Sequence, residues 1–200
     1  MNRFDKNAKN WENDPRKLKQ TEIIINNIKK YLNSTDIAMD YGTGTGLIAY
    51  SIKDLVKKVI AIDNSEGMLK VLNEKIAKNN VRNIKVLNKN LVTDSFKEKK
   101  GKFDVIIITM TLHHIKDIRD IFDKFYSLLK ESGYLIIADL FTENGSFHKD
   151  NTNVAHFGFS KDFLLQEFKN TNFKLIEFKN LFNFDKNAKN YDMFLSVVRK

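Results

Sequence analysis

The chemistry-bearing residues of this chain fall in a few places. Asp40-Tyr41-Gly42-Thr43-Gly44-Thr45-Gly46 puts a carboxylate two residues ahead of three glycines at alternate positions, directly after the apolar run Ile37-Ala38-Met39. Glycine takes positive φ without a Cβ clash and lets a ligand approach the main chain closely. Leu47-Ile48 then opens a helical pattern, and a helix start offers unpaired N–H groups. Such a junction of strand, turn and helix binds a ligand. Asp63 closes a second apolar run, Val59-Ile60-Ala61-Ile62, about twenty residues on, where a carboxylate can accept both hydroxyls of a ribose. The other reading of Asp63 is as the cap of the next helix, a role Asn64 or Ser65 fills equally well. Four histidines, His113, His114, His148 and His156, are the candidates for moving a proton near neutral pH. Their positions lack H-x-x-x-H spacing, so no metal is expected. With no cysteine in 200 residues, disulfide, zinc-thiolate and thiol-nucleophile chemistry is excluded.

These residues need a frame, and the apolar pattern supplies one. Leu18, Ile24, Ile25, Ile28, Tyr31 and Leu32 recur at helical spacing between Arg16 and Asn33. Strands and helices then alternate: strand Ile37–Tyr41, helix Leu47–Leu55, strand Val59–Ile62, helix Glu66–Lys78, strands Ile84–Leu87 and Phe103–Met110, helix Ile118–Lys130, strand Tyr134–Leu140. Near-continuous apolar strands such as Val105-Ile106-Ile107-Ile108 indicate an α/β protein whose parallel sheet is covered on both faces. After a loop from Thr142 to Phe159, Ser160 caps a helix, and two β-rich runs follow, Phe173–Phe178 and Tyr191–Val198. Their short connection makes the final strand antiparallel to its neighbour. Residues 1–15, closed by Pro15, read as an irregular arm or lid ahead of one domain spanning 16–200. The heptapeptide Phe4-Asp5-Lys6-Asn7-Ala8-Lys9-Asn10 recurs unchanged at Phe184 to Asn190; two copies are too few for a repeat architecture, and no function is attached to them.

Asp40-x-Gly42-x-Gly44-x-Gly46, Asp63 and the stretch from Phe103-Asp104-Val105-Ile106 to Leu112-His113-His114-Ile115 together resemble motifs of the class I S-adenosylmethionine-dependent methyltransferases, in their small-molecule branch. The resemblance implies a Rossmann-like, seven-stranded, mainly parallel sheet with an antiparallel last strand and helices on both faces. It implies S-adenosylmethionine as cofactor, leaving as S-adenosylhomocysteine. The amino-acid end of the cofactor is expected at Asp40, Gly42, Thr43, Gly44 and Gly46, and the ribose at Asp63 with Asn64. The adenine is expected beside Met68, Asn90 and Leu91, with Thr109 at the end of the fourth strand completing the site. Many relatives carry Gly-Asp where this chain has Lys89-Asn90, and an amide oxygen still accepts from the adenine amino group. On the acceptor side the catalytic candidates are His114 and His156, while His113 is expected to pack or hydrogen-bond beneath the cofactor. Phe4 and Trp11 are expected to close over the cofactor; the plainer alternative is an apolar staple holding the arm to the body.

The expected function is therefore methyl transfer to a small-molecule acceptor by direct in-line displacement. A tRNA or rRNA methyltransferase is the first alternative. The formal charge of +9 is compatible with it, but lysines spread among asparagines look like a solvated surface, and no Asn/Asp-Pro-Pro-aromatic motif accompanies the fourth strand. A non-catalytic protein that only binds the cofactor is the second. A nicotinamide enzyme would need a G-x-x-G step that is missing. No apolar run approaches the ~18 residues of a membrane span, and the start lacks a secretory apolar core, so membrane insertion is not expected and a cytoplasmic location is. The acceptor and the oligomeric state stay open.

Overall fold

The apolar runs are buried because they form the middle of a sheet. The computed structural model describes residues 3–94, 96, 99–186 and 189–200. Its strands are β1 (Ile37–Tyr41), β2 (Lys58–Asp63), β3 (Ile84–Asn88), β4 (Phe103–Thr109), β5 (Leu129–Leu140), β6 (Lys174–Lys186) and β7 (Lys189–Arg199), in the spatial order β3-β2-β1-β4-β5-β7-β6. The first five run parallel, and β7 lies antiparallel between β5 and β6. This is the Rossmann-like sheet with an antiparallel last strand that the sequence indicates. The strand order reverses between β1 and β4, where Asp40 lies beside Ile107; on the other side of β1 Asp40 lies beside Ala61 of β2, and Asp63 beside Asn88 of β3. In open α/β sheets, ligands bind outside the carboxyl ends of the strands at that reversal.

Helices α1 (Arg3–Asn7), α2 (Pro15–Ile28), α3 (Leu47–Ile52), α4 (Glu66–Lys78), α5 (Ile118–Leu128) and α6 (Lys161–Asn170) cover the two faces. Ile24 and Ile28 of α2, Ile48 and Ile52 of α3 and Leu72 of α4 pack on one side. Phe122 and Phe125 of α5 and Phe168 of α6 pack on the other. Side-chain caps start four of these helices: Asp14 for α2 with Pro15 in its first turn, Ser65 for α4, Asp117 for α5 and Ser160 for α6. No helix among the described residues is long and apolar enough to cross a membrane.

The structure departs from the sequence reading at several elements; one is the junction of α5 and β5, where the helix stops at Leu128 instead of Lys130 and the strand starts at Leu129 instead of Tyr134. The arm is helical rather than irregular: α1 is followed by a 3₁₀ helix at Ala8–Asn13, and Ala8 is buried. Tertiary contacts account for this, because Asp5 accepts from Ser65 Oγ at 2.6 Å and from Gly67 N at 3.0 Å, at the start of α4. Glu12 pairs with Lys75 further along the same helix. Helix α3 ends at Ile52, three residues early. Strand β6 runs eight residues past its expected end, to Lys186, and pairs with β7 in a long hairpin. The second heptapeptide lies at its tip, with Asn187 and Ala188 outside the described residues.

Docking of the arm depends on Gly67 having no side chain: a Cβ there would sit 2.8 Å from Asp5 Cα and 3.0 Å from Asp5 O. Gly67→Ala adds helix propensity to α4, up to about 1 kcal/mol, while pushing the arm away. The expected result is faster proteolysis within residues 3–13 with an unchanged or higher urea midpoint; equal protection of the arm in both proteins would show that it does not rest on α4.

Candidate active site

The glycine turn is held to the sheet by its own backbone. Gly42 N and Thr43 N both donate to Ile62 O, at 2.8 and 3.0 Å, and Gly44 N donates to Asp63 Oδ2 at 2.8 Å. Gly46, at φ +81°, begins α3 where any Cβ would collide with Leu72. Gly44, at φ +55°, is different: a Cβ there would meet nothing closer than Met68 Sδ at 4.0 Å, so the turn opens onto a cavity. Gly42, Thr43, Thr45, Asp63, Asn64 and Met68 line that cavity with it.

Asp40 lies behind the turn instead of facing the cavity. Its Oδ2 accepts from Thr43 Oγ1 at 2.6 Å and from Ala49 N at 3.0 Å, and the residue is 1% exposed. Burial, only partly offset by those bonds, raises its pKa to about 6. The direct cofactor contact expected of Asp40 is thus replaced by a structural tie, because α3 takes the carboxylate as its partner. Gly46 is also set back, against Leu72, and Leu91 packs into the core at 1% exposed. Asp63 does face the cavity. Its Oδ1 accepts from Ser65 N at 2.9 Å, and burial moves its carboxyl above the ordinary value, against the pull of the Ser65 and Gly44 N–H groups. The Asn64 N–H pulls on it too, and since a carboxylate offers about four acceptor positions, it keeps room to accept from a ligand hydroxyl. Asn90 and Thr109 also line the cavity, but the Asn90 amide oxygen expected to meet adenine already accepts from Val92 N at 3.0 Å and from Tyr41 Oη at 3.4 Å.

The histidines come together in a way their spacing did not announce. After β4, Met110 takes φ +49°, rare for a non-glycine residue, and the chain turns through a 3₁₀ helix at Leu112–His114. Buried His113 donates from Nδ1 to Asp139 Oδ1 at 2.7 Å. Burial favours the neutral acid at Asp139, yet the charge and hydrogen bond of His113 outweigh it and hold this carboxyl below its usual range. His113 Nε2 lies 3.1 Å from His148 Nε2, and His114 Nδ1 lies 2.6 Å from the Asn153 carbonyl. All three rings line the cavity. His156 does not: its Nε2 meets the Lys116 carbonyl at 3.2 Å and its ring packs on Phe159, so the catalytic role expected for it has no geometry here. His148, one of the four candidates but given no role from the sequence, is the loop histidine that lines the cavity instead. The available signal was its apolar neighbour Phe147, which anchors the loop against Tyr191 and Phe184.

The cavity measures 830 Å³. The glycine turn and Asp63 form its floor, and Phe4 and Trp11 of the arm, Phe147 and His148 of the loop and Phe184 of the hairpin stand around it. Two features fit S-adenosylmethionine: the open cradle over Gly44, and Thr45 Oγ1, which is buried with no hydrogen-bond partner. The family profile described as "Methyltransferase domain" matches residues 38–133, the span from β1 into β5 that builds the floor and the histidine turn. Residues 38–133 are thus a methyltransferase domain on the class I, S-adenosylmethionine-dependent fold. The cofactor of that family is S-adenosylmethionine. An uncharacterised methyltransferase of Schizosaccharomyces pombe is 31% identical over 160 residues, covering 73% of this chain and 56% of that one. The ribosomal protein L11 methyltransferase of Staphylococcus saprophyticus is 32% identical over 125 residues, 62% of this chain and 38% of its own. This methyltransferase domain therefore spans about half the length, or less, of those curated relatives. Phosphoethanolamine N-methyltransferase 2 of Haemonchus contortus, solved with S-adenosyl-L-methionine, shares the fold at a TM-score of 0.74 and 18% identity, over 91% of this chain and 52% of that one.

The Asp40 tie has a measurable signature in this methyltransferase domain. Between the ordinary value of 3.8 and about 6 the folded chain keeps a proton that the unfolded chain has lost. Stability from this residue is therefore highest below that window and falls as pH rises through it, by about 3 kcal/mol in all. In urea unfolding, wild type should lose about that much more stability between pH 4 and pH 7 than Asp40→Asn, whose amide oxygen still accepts from Thr43 and Ala49. Parallel pH profiles would show that Asp40 keeps the same proton occupancy folded and unfolded.

Proposed function

We propose that this protein transfers the methyl group of S-adenosylmethionine to a small molecule bound at the histidine end of the cavity. The observation that carries this reading is the enclosure of that end. Phe4 stands edge-on to His114 at 5.4 Å and to Trp11 at 6.0 Å, and Phe147 and Phe184 narrow the opposite side. In this reading the arm of residues 1–15 is a lid on a domain of residues 16–200. An enclosed site of this kind suits a compact acceptor, with aromatic walls that exclude water.

Bound there, S-adenosylmethionine supplies an electrophilic methyl group on a sulfonium sulfur. Asp63 accepts the ribose hydroxyls, the turn at Gly42–Gly44 holds the amino-acid end, and Met68 and Asn90 flank the adenine. His114 and His148 face the acceptor, where an imidazole can remove a proton if the nucleophile carries one. The protein's main contribution is alignment of nucleophile, methyl and sulfur, which is worth about 7–11 kcal/mol when complete. A protein side chain is the second reading, supported by the likeness to the L11 methyltransferase.

Asp63→Ala should weaken S-adenosylmethionine binding at least tenfold by calorimetry, about 1.4 kcal/mol or more, with the circular dichroism spectrum unchanged. Asp63→Asn, which keeps an acceptor oxygen, should lose less. Unchanged affinity in the alanine variant removes Asp63 from the cofactor site. With methyl-labelled cofactor, label should enter the small-molecule fraction of a cell extract; label entering only ribosomal protein, or only RNA, overturns the small-molecule reading.

A further inference from the structure

The structure assigns a divalent transition-metal site to His113, His114 and His148, with one coordination position open to the cavity. One ring nitrogen of each histidine lies within 4.8 Å of the others. The ring centroids are 4.1 Å apart for His113 and His114, 5.1 Å for His113 and His148, and 5.4 Å for His114 and His148. Zinc binds imidazole nitrogen at about 2.0–2.1 Å, which puts neighbouring ligand nitrogens of a tetrahedral site about 3.3–3.4 Å apart. His113 Nε2 and His148 Nε2 stand at 3.1 Å, close to that spacing, and a ring nitrogen of His114 lies within 4.8 Å of both ligand atoms.

The outer partners support the same reading independently. A metal-bound histidine characteristically donates its other ring N–H to a carboxylate or a backbone carbonyl, which fixes the tautomer and the ring plane. Asp139 Oδ1 does this for His113. The Asn153 carbonyl can only accept, so His114 Nδ1 carries a proton, and Nε2 is the nitrogen a metal would take from the neutral ring. Two of the three rings thus share one arrangement, with Nδ1 donating to the protein and Nε2 presented as a ligand. The backbone holds the two chain segments together, since Ala155 N and His156 N both donate to His113 O at 3.0 Å. Glu143 Oε2 accepts from Ser146 N and Phe147 N, steadying the stretch just before His148.

Three imidazoles without thiolate or carboxylate ligands suit zinc, copper, nickel or iron, and a three-ligand site with an exchangeable fourth position is the arrangement of catalytic metals rather than structural ones. The open position takes an oxygen or nitrogen donor. On the methyl-transfer reading this is the acceptor's nucleophilic atom, but metal binding itself does not depend on that reading.

The test uses the full chain, stripped with a chelator and titrated with Co²⁺ and then Zn²⁺. One Co²⁺ per chain should bind, with the visible absorption of a four- or five-coordinate ion, and Zn²⁺ should displace it. X-ray absorption of the zinc form should show three imidazole ligands. His148→Ala and His114→Ala should each lower affinity a hundredfold or more, and Asp139→Asn by 10–100-fold. The proposal is overturned if wild type shows no saturable binding, if fewer than two imidazoles scatter around zinc, or if His148→Ala binds within threefold of wild type. Because the wild-type absorption measurements decide by themselves, a variant that fails to fold leaves the result standing. A separate S-adenosylmethionine titration reports on the methyltransferase reading.

Discussion

One carboxylate oxygen at the end of β1 accepts two hydrogen bonds, from Thr43 Oγ1 and from Ala49 N, and much of the site follows from that constraint. The first bond folds the glycine turn back on its own strand, and the second fastens the turn to α3. With the Gly42 and Thr43 N–H groups taken by Ile62 O, the turn has little freedom left, and the edge at Gly44 is what faces the ligand. A buried acid is costly to ionise, and here it lies near a second one, Asp63, whose charge raises its pKa further. The acid on the floor is therefore Asp63, which suits a cationic ligand such as a sulfonium carrying an ammonium group, while Asp40 sets the turn from behind.

The opposite wall is built on the same principle with a different acid. Asp139, at the end of β5, is fully buried and accepts from His113 Nδ1 and from Leu140 N. It orients a ring instead of a turn. Strand ends therefore place acids at both ends of the cavity, Asp63 facing it beside the glycine turn and Asp139 behind His113, with Asp40 behind the turn. The arm, the late loop and the hairpin close it from above. The glycine-turn end is thus built from the alternating strands and helices, whereas the other end is assembled from segments lying outside them.

Legibility in the sequence tracked how local each signal was. Helix α4 was read at its true bounds, Glu66–Lys78, because the Ser65 cap and the apolar periodicity are both local. Strand β1 and the glycine turn were equally plain, since an apolar run ending in alternate glycines has few other solutions. The side chains that line the cavity from the turn, Gly42, Thr43 and Gly44 with Asp63, Asn64 and Met68, were named from the motif. Asp40 was placed in the right motif but on the wrong side of the turn, because only packing shows that Ala49 N has no nearer partner. His148 and His156 look alike as loop histidines eight positions apart. Which one reaches the cavity depends on Phe147 docking among Tyr191 and Phe184, contacts more than thirty residues away in sequence.

The two copies of Phe-Asp-Lys-Asn-Ala-Lys-Asn separate the two kinds of information. The first is helical from Phe4 to Asn10; in the second, Phe184–Lys186 and Lys189–Asn190 belong to the strands of a hairpin. Local propensity is identical in both, so it decides neither. What decides is the partner: Asp5 caps the start of α4, whereas Phe184 pairs with Tyr191 across the hairpin. By itself the sequence determined the parallel sheet, the glycine turn and the acid on β2, because hydrophobic period and glycine spacing act over a few residues. Tertiary structure alone decided the arm's conformation, the inward turn of Asp40 and the convergence of His113, His114 and His148, because each depends on contacts between segments far apart in the chain.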